Sequence, residues 1–186
     1  MPLKNVLIDV SVLAQKKSGV PIYTENLIDE LLKLNSDSIN INLISSTPTP
    51  KFNKKYKVLS FNNKWSYRKI FWENFFLAKK IKSDIYHNPL FLLPRFRLSK
   101  HLKTIVTVHD LAFIEQSQSF DIRTKLYFKL FLNYSLKRAD SIIAISNATS
   151  ESIQKYFPQY KNKIKVIYNG FNDYRKSSDM SNKNIH

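Results

Sequence analysis

Short apolar runs separated by stretches of helical periodicity set the layout of this chain. Val6-Leu7-Ile8, inside residues 4–10, is a compact apolar run of the kind buried strands use. After a polar loop, Gln15-Lys16-Lys17-Ser18-Gly19, the residues Val20, Tyr23, Leu27, Leu31 and Leu34 recur at helical spacing. Residues 39–45 alternate and predict a strand, and residues 56–61 predict a weaker one. Between them Thr47-Pro48-Thr49-Pro50 predicts a loop, because neither proline can donate to a ladder. Residues 65–82 predict a helix from their length and from the i,i+4 pairs Phe71/Phe75 and Trp72/Phe76. Asp84-Ile85-Tyr86-His87 reads as a brief strand closed by a turn at Asn88-Pro89, and the β-branched run at 103–108 as a strand ending in His109-Asp110. Residues 121–138 predict a long helix with Tyr127, Leu130, Phe131 and Tyr134 on one face. A strand at 141–145, a helix at 147–157 with Glu151 in its first turns, and a last strand at 163–168 follow.

Strands that alternate with helices imply βαβ units and a parallel sheet. Parallel crossovers are right-handed, so the expected fold is α/β, a Rossmann-like, doubly wound, mostly parallel sheet with helices on both faces. Residues 1–171 are read as one domain, and 172–186, polar and without apolar periodicity, as a tail or the start of a linker.

Composition removes several classes of chemistry. With 43% hydrophobic residues in 186, including 13 Phe and 10 Tyr, the chain can bury a sizeable core. It has no cysteine, which excludes disulfides, thiol nucleophiles and thiolate metal sites. Its two glycines, Gly19 and Gly170, are too few for a GxGxxG fingerprint and too far apart for a GxxxxGKS loop. No apolar run approaches the roughly 18–20 residues of a membrane span, and the N-terminal run stops at Asp9, which leads to the expectation of a soluble cytoplasmic protein. The net charge of +16 attracts phosphates of any kind, on nucleic acid, anionic lipid or nucleotide sugar. Ten basic residues fall between Lys51 and Lys82, among them Lys64, Arg68, Lys69, Lys79, Lys80 and Lys82, against the single acid Glu73. Trp65, Tyr67, Phe71, Trp72, Phe75 and Phe76 are interleaved with them.

In an open parallel sheet, ligands bind outside the carboxyl ends of the strands. The ends predicted here carry Asp9, His87, His109 with Asp110, Ser146 with Asn147, and Asn169 with Gly170. Gly19 lies in the first strand-to-helix loop, where a missing side chain lets a ligand approach the backbone. Helix N-termini behind such loops present N–H groups to a phosphate. Each position also has a plainer use. Asp9, Ser146 and Asn147 can cap helices, Gly19 can relieve a tight turn, and His87 reads more readily as a turn residue than as a ligand. His101 and His186 are expected in solvent. His109 stands out, because it follows a buried strand and precedes an acid able to orient it. Nothing marks a nucleophile beside it, so the pair is no triad, and no HxxxH, HExxH or Asp-x-Asp spacing suggests a metal; no cofactor is expected.

Three runs in order resemble glycosyltransferase family 4: Thr104-Ile105-Val106-Thr107-Val108-His109-Asp110-Leu111, then Arg138-Ala139-Asp140-Ser141-Ile142-Ile143-Ala144-Ile145-Ser146-Asn147, then Val166-Ile167-Tyr168-Asn169-Gly170. Ser18-Gly19-Val20 with Tyr23-Thr24-Glu25-Asn26-Leu27, and Asp84-Ile85-Tyr86-His87-Asn88-Pro89 with Leu93-Pro94, are similar to the same family. The resemblance implies a GT-B architecture, two Rossmann-like domains across a cleft, and metal-independent, anomer-retaining transfer of a sugar from a nucleotide-diphosphate donor to a glycan or lipid-linked acceptor. It implies that Gly19 approaches the donor diphosphate or sugar, and that His109 contacts the donor sugar near the reacting centre. Ser146 would border the cleft, and Asn169-Gly170 would lead to the interdomain linker. The family loop often has two adjacent glycines, and the first is Ser18 here. The family's nucleotide-binding C-terminal domain has no counterpart before His186, so residues 1–186 are expected not to turn over alone, as a fragment, a truncated product or a subunit of a split enzyme. Transferases resembling this one often take acceptors at the inner face of a membrane, and the basic aromatic stretch at 51–82 is expected either to dock there on anionic lipid or to place Phe71, Trp72, Phe75 and Phe76 in the core with its lysines as a solvated face. The competing expectations are a non-catalytic acceptor-binding or scaffold subunit, and a basic nucleic-acid-binding module; the latter lacks any reading element, so no nucleic acid partner is expected.

Overall fold

A computed structural model describes residues 3–16, 18–34, 38–45, 58–60, 83–93, 101–115 and 122–170. Their strands are β1 (Lys4–Asp9), β2 (Ile39–Ser45), β3 (Val58–Ser60), β4 (Ile85–Asn88), β5 (Lys103–Val108), β6 (Ser141–Ala144) and β7 (Ile164–Val166). The helices are α1 (Gly19–Lys33), α2 (Ala112–Glu115), α3 (Ile122–Arg138) and α4 (Asn147–Tyr156), with 3-10 turns at Ser11–Ala14 and Pro158–Lys163. All pairings are parallel, and the strands form one sheet in the order β3-β2-β1-β4-β5-β6-β7. This is the expected α/β doubly wound sheet.

Strand alternation divides the apolar residues between two faces. Ile8, Val10 and Leu43 turn to one side and bury Ile28 of α1. Leu7, Ile44, Tyr86, Val106, Val108, Ile142 and Ala144 turn to the other, against Leu132 and Leu136 of α3 and Ile153 of α4. The register carries this alternation across the sheet, Ile8 beside His87 and His87 beside Ile105, Leu7 beside Tyr86 and Tyr86 beside Thr104. Helices therefore cover both faces. Burying one such aliphatic side chain contributes about 1.5–3 kcal/mol.

Three elements differ from the sequence reading. Helix α3 buries Leu132, Ser135 and Leu136, whereas Leu130, on the apolar face read from the sequence, is exposed. The helix has apolar residues nearly all round, so i,i+4 spacing alone does not choose its inner side. The last strand is three residues long instead of six, because Pro158–Lys163 forms a 3-10 turn and Ile167 keeps only a backbone bond to Ala144. His87 lies inside β4, not in a turn, because the strand runs on through Asn88. The helix expected at 65–82, the basic residues Lys64, Arg68, Lys69, Lys79, Lys80 and Lys82, and the tail at 172–186 lie outside the described residues.

The amino-terminal edge of the sheet is pinned by two carboxylates. Asp84 Oδ2 accepts the Asn5 N–H at 2.8 Å, and Asp140 Oδ2 accepts the Thr104 N–H at 2.8 Å and the Thr104 hydroxyl at 3.1 Å. Burial alone would raise the pKa of Asp140; its bonds to Thr104 and the charge of Lys103 outweigh that and hold it below the usual carboxylate range. The end of α3 is closed by Lys163, whose ammonium donates to the carbonyls of Leu136, Lys137 and Ala139 at 3.3, 2.8 and 2.8 Å. A cation at a helix C-terminus also meets the negative end of the helix dipole. Lys163→Met removes all three bonds and keeps the stem, so it should lower the unfolding free energy by about 1–2 kcal/mol in a urea titration. An unchanged midpoint would show that water serves those carbonyls equally well.

Candidate functional site

The strand order reverses between β1 and β4, and each sends its next connection away from the other. A crevice opens at such a point, outside the carboxyl ends of the two strands. Asp9 ends β1 and Asn88 ends β4. Asp9 is buried, and its carboxylate is taken up internally. Oδ1 accepts the Ser11 N–H at 2.8 Å, and Oδ2 accepts the Tyr86 hydroxyl at 2.8 Å with the Asn88 amide at 3.5 Å. Asp9 thus shapes the crevice wall, closing the turn after β1 and tying it to β4.

On the α1 face, a chain of polar contacts leads from the sheet to its rim. His87 Nε2 lies 3.0 Å from Thr107 Oγ1, and the Tyr23 hydroxyl reaches the same Oγ1 at 3.5 Å. The Tyr23 ring then meets His109 edge to face, with centroids 4.8 Å apart at 86°. Tyr23 stands one turn inside α1, the helix that Gly19 opens, so the first loop and His109 share one rim.

His109 is half-buried and held from two directions. Its Nε2 lies 2.9 Å from the Pro89 carbonyl, which can only accept, so Nε2 carries the hydrogen. Its own carbonyl accepts the Thr149 hydroxyl at 3.0 Å. In the neutral ring Nδ1 is then an acceptor, and among the described residues no hydrogen bond engages it. Burial lowers the pKa of His109, against the opposite pull of the Pro89 carbonyl and of Asp110. Burial pushes His87 further, to about 4. Both rings are neutral at pH 7.

The other expected residues divide into supports and open positions. Ser146 is the N-cap of α4, its Oγ accepting the Thr149 N–H at 3.1 Å, and Asp110 Oδ1 accepts the Ala112 N–H at 3.0 Å to start α2. Asn147 is exposed at the first position of α4. Asn169 and Gly170 are exposed beyond the edge strand β7, two strands from β5, so the sheet does not bring them against His109. Gly19 is exposed, its φ lies outside the left-handed region, and a Cβ built there would meet nothing within 4 Å. No tight turn requires this glycine. The Ser18 side chain makes no capping bond to α1, and the helix has no acid in its first turn. Helix geometry leaves the Gly19 and Val20 N–H groups without intrahelical carbonyls, and Pro21 has no N–H. His101 is exposed ahead of β5, and His186 lies outside the described residues.

Residues 17–175 match the family model of Glycosyltransferase Family 4. The chain belongs to glycosyltransferase family 4. A stretch of 67 residues is 36% identical to the O-antigen chain mannosyltransferase RfbU of Salmonella typhimurium, covering 36% of this chain and 18% of that protein. The fold is similar to that of Anabaena HepE, whose crystal structure holds UDP and glucose, with a TM-score of 0.53 at 17% identity over 97% of this chain and 50% of HepE. The chain therefore spans half of one relative and less of the other.

Three residues of this family-4 domain support the site without having been singled out from sequence: Thr107, Thr149 and, as the partner of His109, Tyr23. Strand alternation offered one signal, since Thr107 stands two residues before His109 on the same face. Thr149 is the third residue after a capping Ser146, where an N-cap bond is expected, yet its second bond to His109 has no mark in sequence.

A buried neutral His87 makes stability depend on pH with a definite sign. Between about 6.5 and about 4 the unfolded chain binds a proton that the folded ring refuses, so stability falls as pH falls through that window. The loss approaches roughly 3 kcal/mol at its lower end. His87→Gln retains a partner for Thr107 and should flatten urea stability measured at pH 7, 6 and 5 by up to one proton of slope. Parallel curves for both proteins would contradict the assignment.

Proposed function

We propose that this chain is the acceptor-side lobe of a retaining, metal-independent glycosyltransferase, moving a sugar from a nucleotide-diphosphate donor to a glycan or lipid-linked acceptor. The observation that carries the reading is the conjunction at one rim of a neutral His109, fixed through Nε2 to Pro89, with the uncapped N-terminus of α1 behind Gly19. In the transfer, the bond from the anomeric carbon to the diphosphate oxygen breaks, the diphosphate keeps the electron pair, a bond from the anomeric carbon to the acceptor oxygen forms, and the acceptor hydroxyl's proton passes to the departing diphosphate. Such a reaction depends on positioning and on stabilising departing negative charge. The Gly19 and Val20 N–H groups and the helix dipole serve the diphosphate. Nδ1 of His109 accepts from a hydroxyl of the sugar. The relatives support the donor class, since HepE was crystallised with UDP and glucose and RfbU is a mannosyltransferase.

A second lobe, in the same polypeptide or another, supplies the nucleotide site, and residues 1–186 alone do not turn over. The enzyme works in the cytoplasm at a membrane surface, which the basic stretch at 51–82 approaches; among the described residues no helix is long and apolar enough to cross a membrane. A reading as an acceptor-binding subunit shares this wall of the cleft and differs only in the absence of turnover when a second lobe is present.

Gly19→Val tests the site directly. The added side chain has room in the folded chain, so thermal stability should change by no more than about 0.5 kcal/mol. Binding of sugar nucleotides, followed by amide chemical shifts across a panel of donors, should weaken about tenfold or more, and His109→Ala should do the same. Donor binding unaltered by both changes would overturn the site. Robust transfer by residues 1–186 alone would overturn the requirement for a second lobe.

A further inference from the structure

One hydrogen bond holds the His109 ring, and that bond does not by itself fix the ring's plane. Rotation about the Cβ–Cγ bond of a histidine is soft. Nε2 sits at the far end of the imidazole, close to the axis of that rotation, so its bond to the Pro89 carbonyl restrains the pivot weakly. Nδ1 sits at the side of the ring and swings with it. The Thr149 hydroxyl reaches the His109 backbone carbonyl and leaves the ring free to turn. The contact that opposes the swing is Tyr23, edge to face at 4.8 Å and 86°. Turning the imidazole out of that geometry gives up an aromatic pair, a factor of roughly two to ten in population. Tyr23 is itself held. Its hydroxyl lies 3.5 Å from Thr107 Oγ1, which is buried and lies 3.0 Å from His87 Nε2. The neighbouring Thr24 is buried as well, its hydroxyl donating to the Val20 carbonyl at 2.9 Å. A separation of 3.5 Å is long for two hydroxyls, so the tyrosine ring, not its hydroxyl, carries the contact with His109. Gly19 opens the same helix four residues earlier, so one rigid element relates the helix end to the imidazole.

We propose that Tyr23 is a positioning residue whose ring fixes the plane of the His109 imidazole, and with it the separation between Nδ1 and the N-terminus of α1. The consequence for substrate rests on the transferase reading above. There the helix end serves the donor's diphosphate and Nδ1 a hydroxyl of its sugar, so Tyr23 sets the span between the two and acts on the sugar only through His109.

Nitrogen NMR of residues 1–186, labelled in the histidine rings, tests the placement at pH 7 without any ligand. The His109 signals are those that His109→Ala removes. In the unchanged chain they should report the Nε2–H tautomer, and Tyr23→Phe, which keeps the ring, should keep that pattern. Tyr23→Leu should cut the preference for Nε2–H roughly two- to tenfold and draw the two nitrogen shifts together, with the amide spectrum of the fold retained. Tyr23→Met carries the same expectation if the leucine variant does not fold. Unaltered His109 shifts without the aromatic ring overturn the proposal. Loss of the pattern in Tyr23→Phe as well overturns it too, since the hydroxyl and Thr107 would then do the positioning. Donor binding separates this from the site itself. With UDP-glucose and GDP-mannose set beside UDP and GDP, Tyr23→Leu should weaken a sugar-bearing donor roughly two- to tenfold and leave the sugar-free nucleotide unchanged. In a His109→Ala background it should add nothing. Equal weakening of both nucleotide forms, or a further loss without His109, overturns the positioning role. If His109→Ala leaves donor binding unchanged while the ring spectrum behaves as expected, Tyr23 keeps its role and the transferase reading of His109 fails.

Discussion

Parallel pairing of β1, β4 and β5 is the constraint on which the rest of the structure depends. Parallel neighbours cannot be joined by tight hairpins, so each connection crosses a face of the sheet and returns to the same edge. That edge therefore collects the carboxyl end of each strand and the N-terminus of each following helix. Residues as distant in sequence as Gly19, His109 and Ser146 reach it with no contact among themselves needed to bring them there. The amino-terminal edge shows the converse. Its acids, Asp84 and Asp140, are spent on the backbone of neighbouring strands, and they set the register that aligns the working edge.

Position on an edge does not by itself make a reactive group. His109 is oriented because its ring and its backbone are held by different elements, Pro89 after β4 on one side and Thr149 of α4 on the other. The Pro89 carbonyl decides the tautomer, and burial decides the charge. A neutral imidazole with an accepting Nδ1 suits recognition of hydroxyl groups better than attraction of phosphate. In the division of labour proposed above, negative charge would fall to the helix end behind Gly19, where Ser18 makes no capping bond and the first turn has no acid.

Much of this was legible in the sequence because buried parallel strands are continuous apolar runs bounded by polar residues, and six of the seven were located from that pattern alone or nearly so. The short β3 was seen only weakly at 56–61, and the last strand was read too long: the β-branched residues at 164–167 promise a longer strand than an edge position with one neighbour sustains. Helix α3 shows the opposite failure, since apolar residues on every side leave the choice of inner face to tertiary packing. For the site, position along the chain was readable and employment was not. His87 looked like a turn residue because Asn88-Pro89 follows it, yet the strand continues through Asn88 and closes over the ring.

Employment is what separates the candidates. A side chain whose polar atoms are already bonded and buried can support a ligand site but offers it nothing without giving up a bond. Asp9 and His87 are buried, bonded to Tyr86 and Thr107, and Ser146, half-buried, is bonded to Thr149. Gly19 and Nδ1 of His109 stand apart, the first because a Cβ there would meet only open space, the second because the ring's hydrogen is committed to Nε2. A glycine held in neither a left-handed conformation nor a crowded turn lacks an internal reason for its identity. As the first residue of a helix, it places no side chain beside the N–H groups to which the proposed function assigns the diphosphate. The fold thus over-determines the supports and leaves undetermined the surfaces that a substrate must complete.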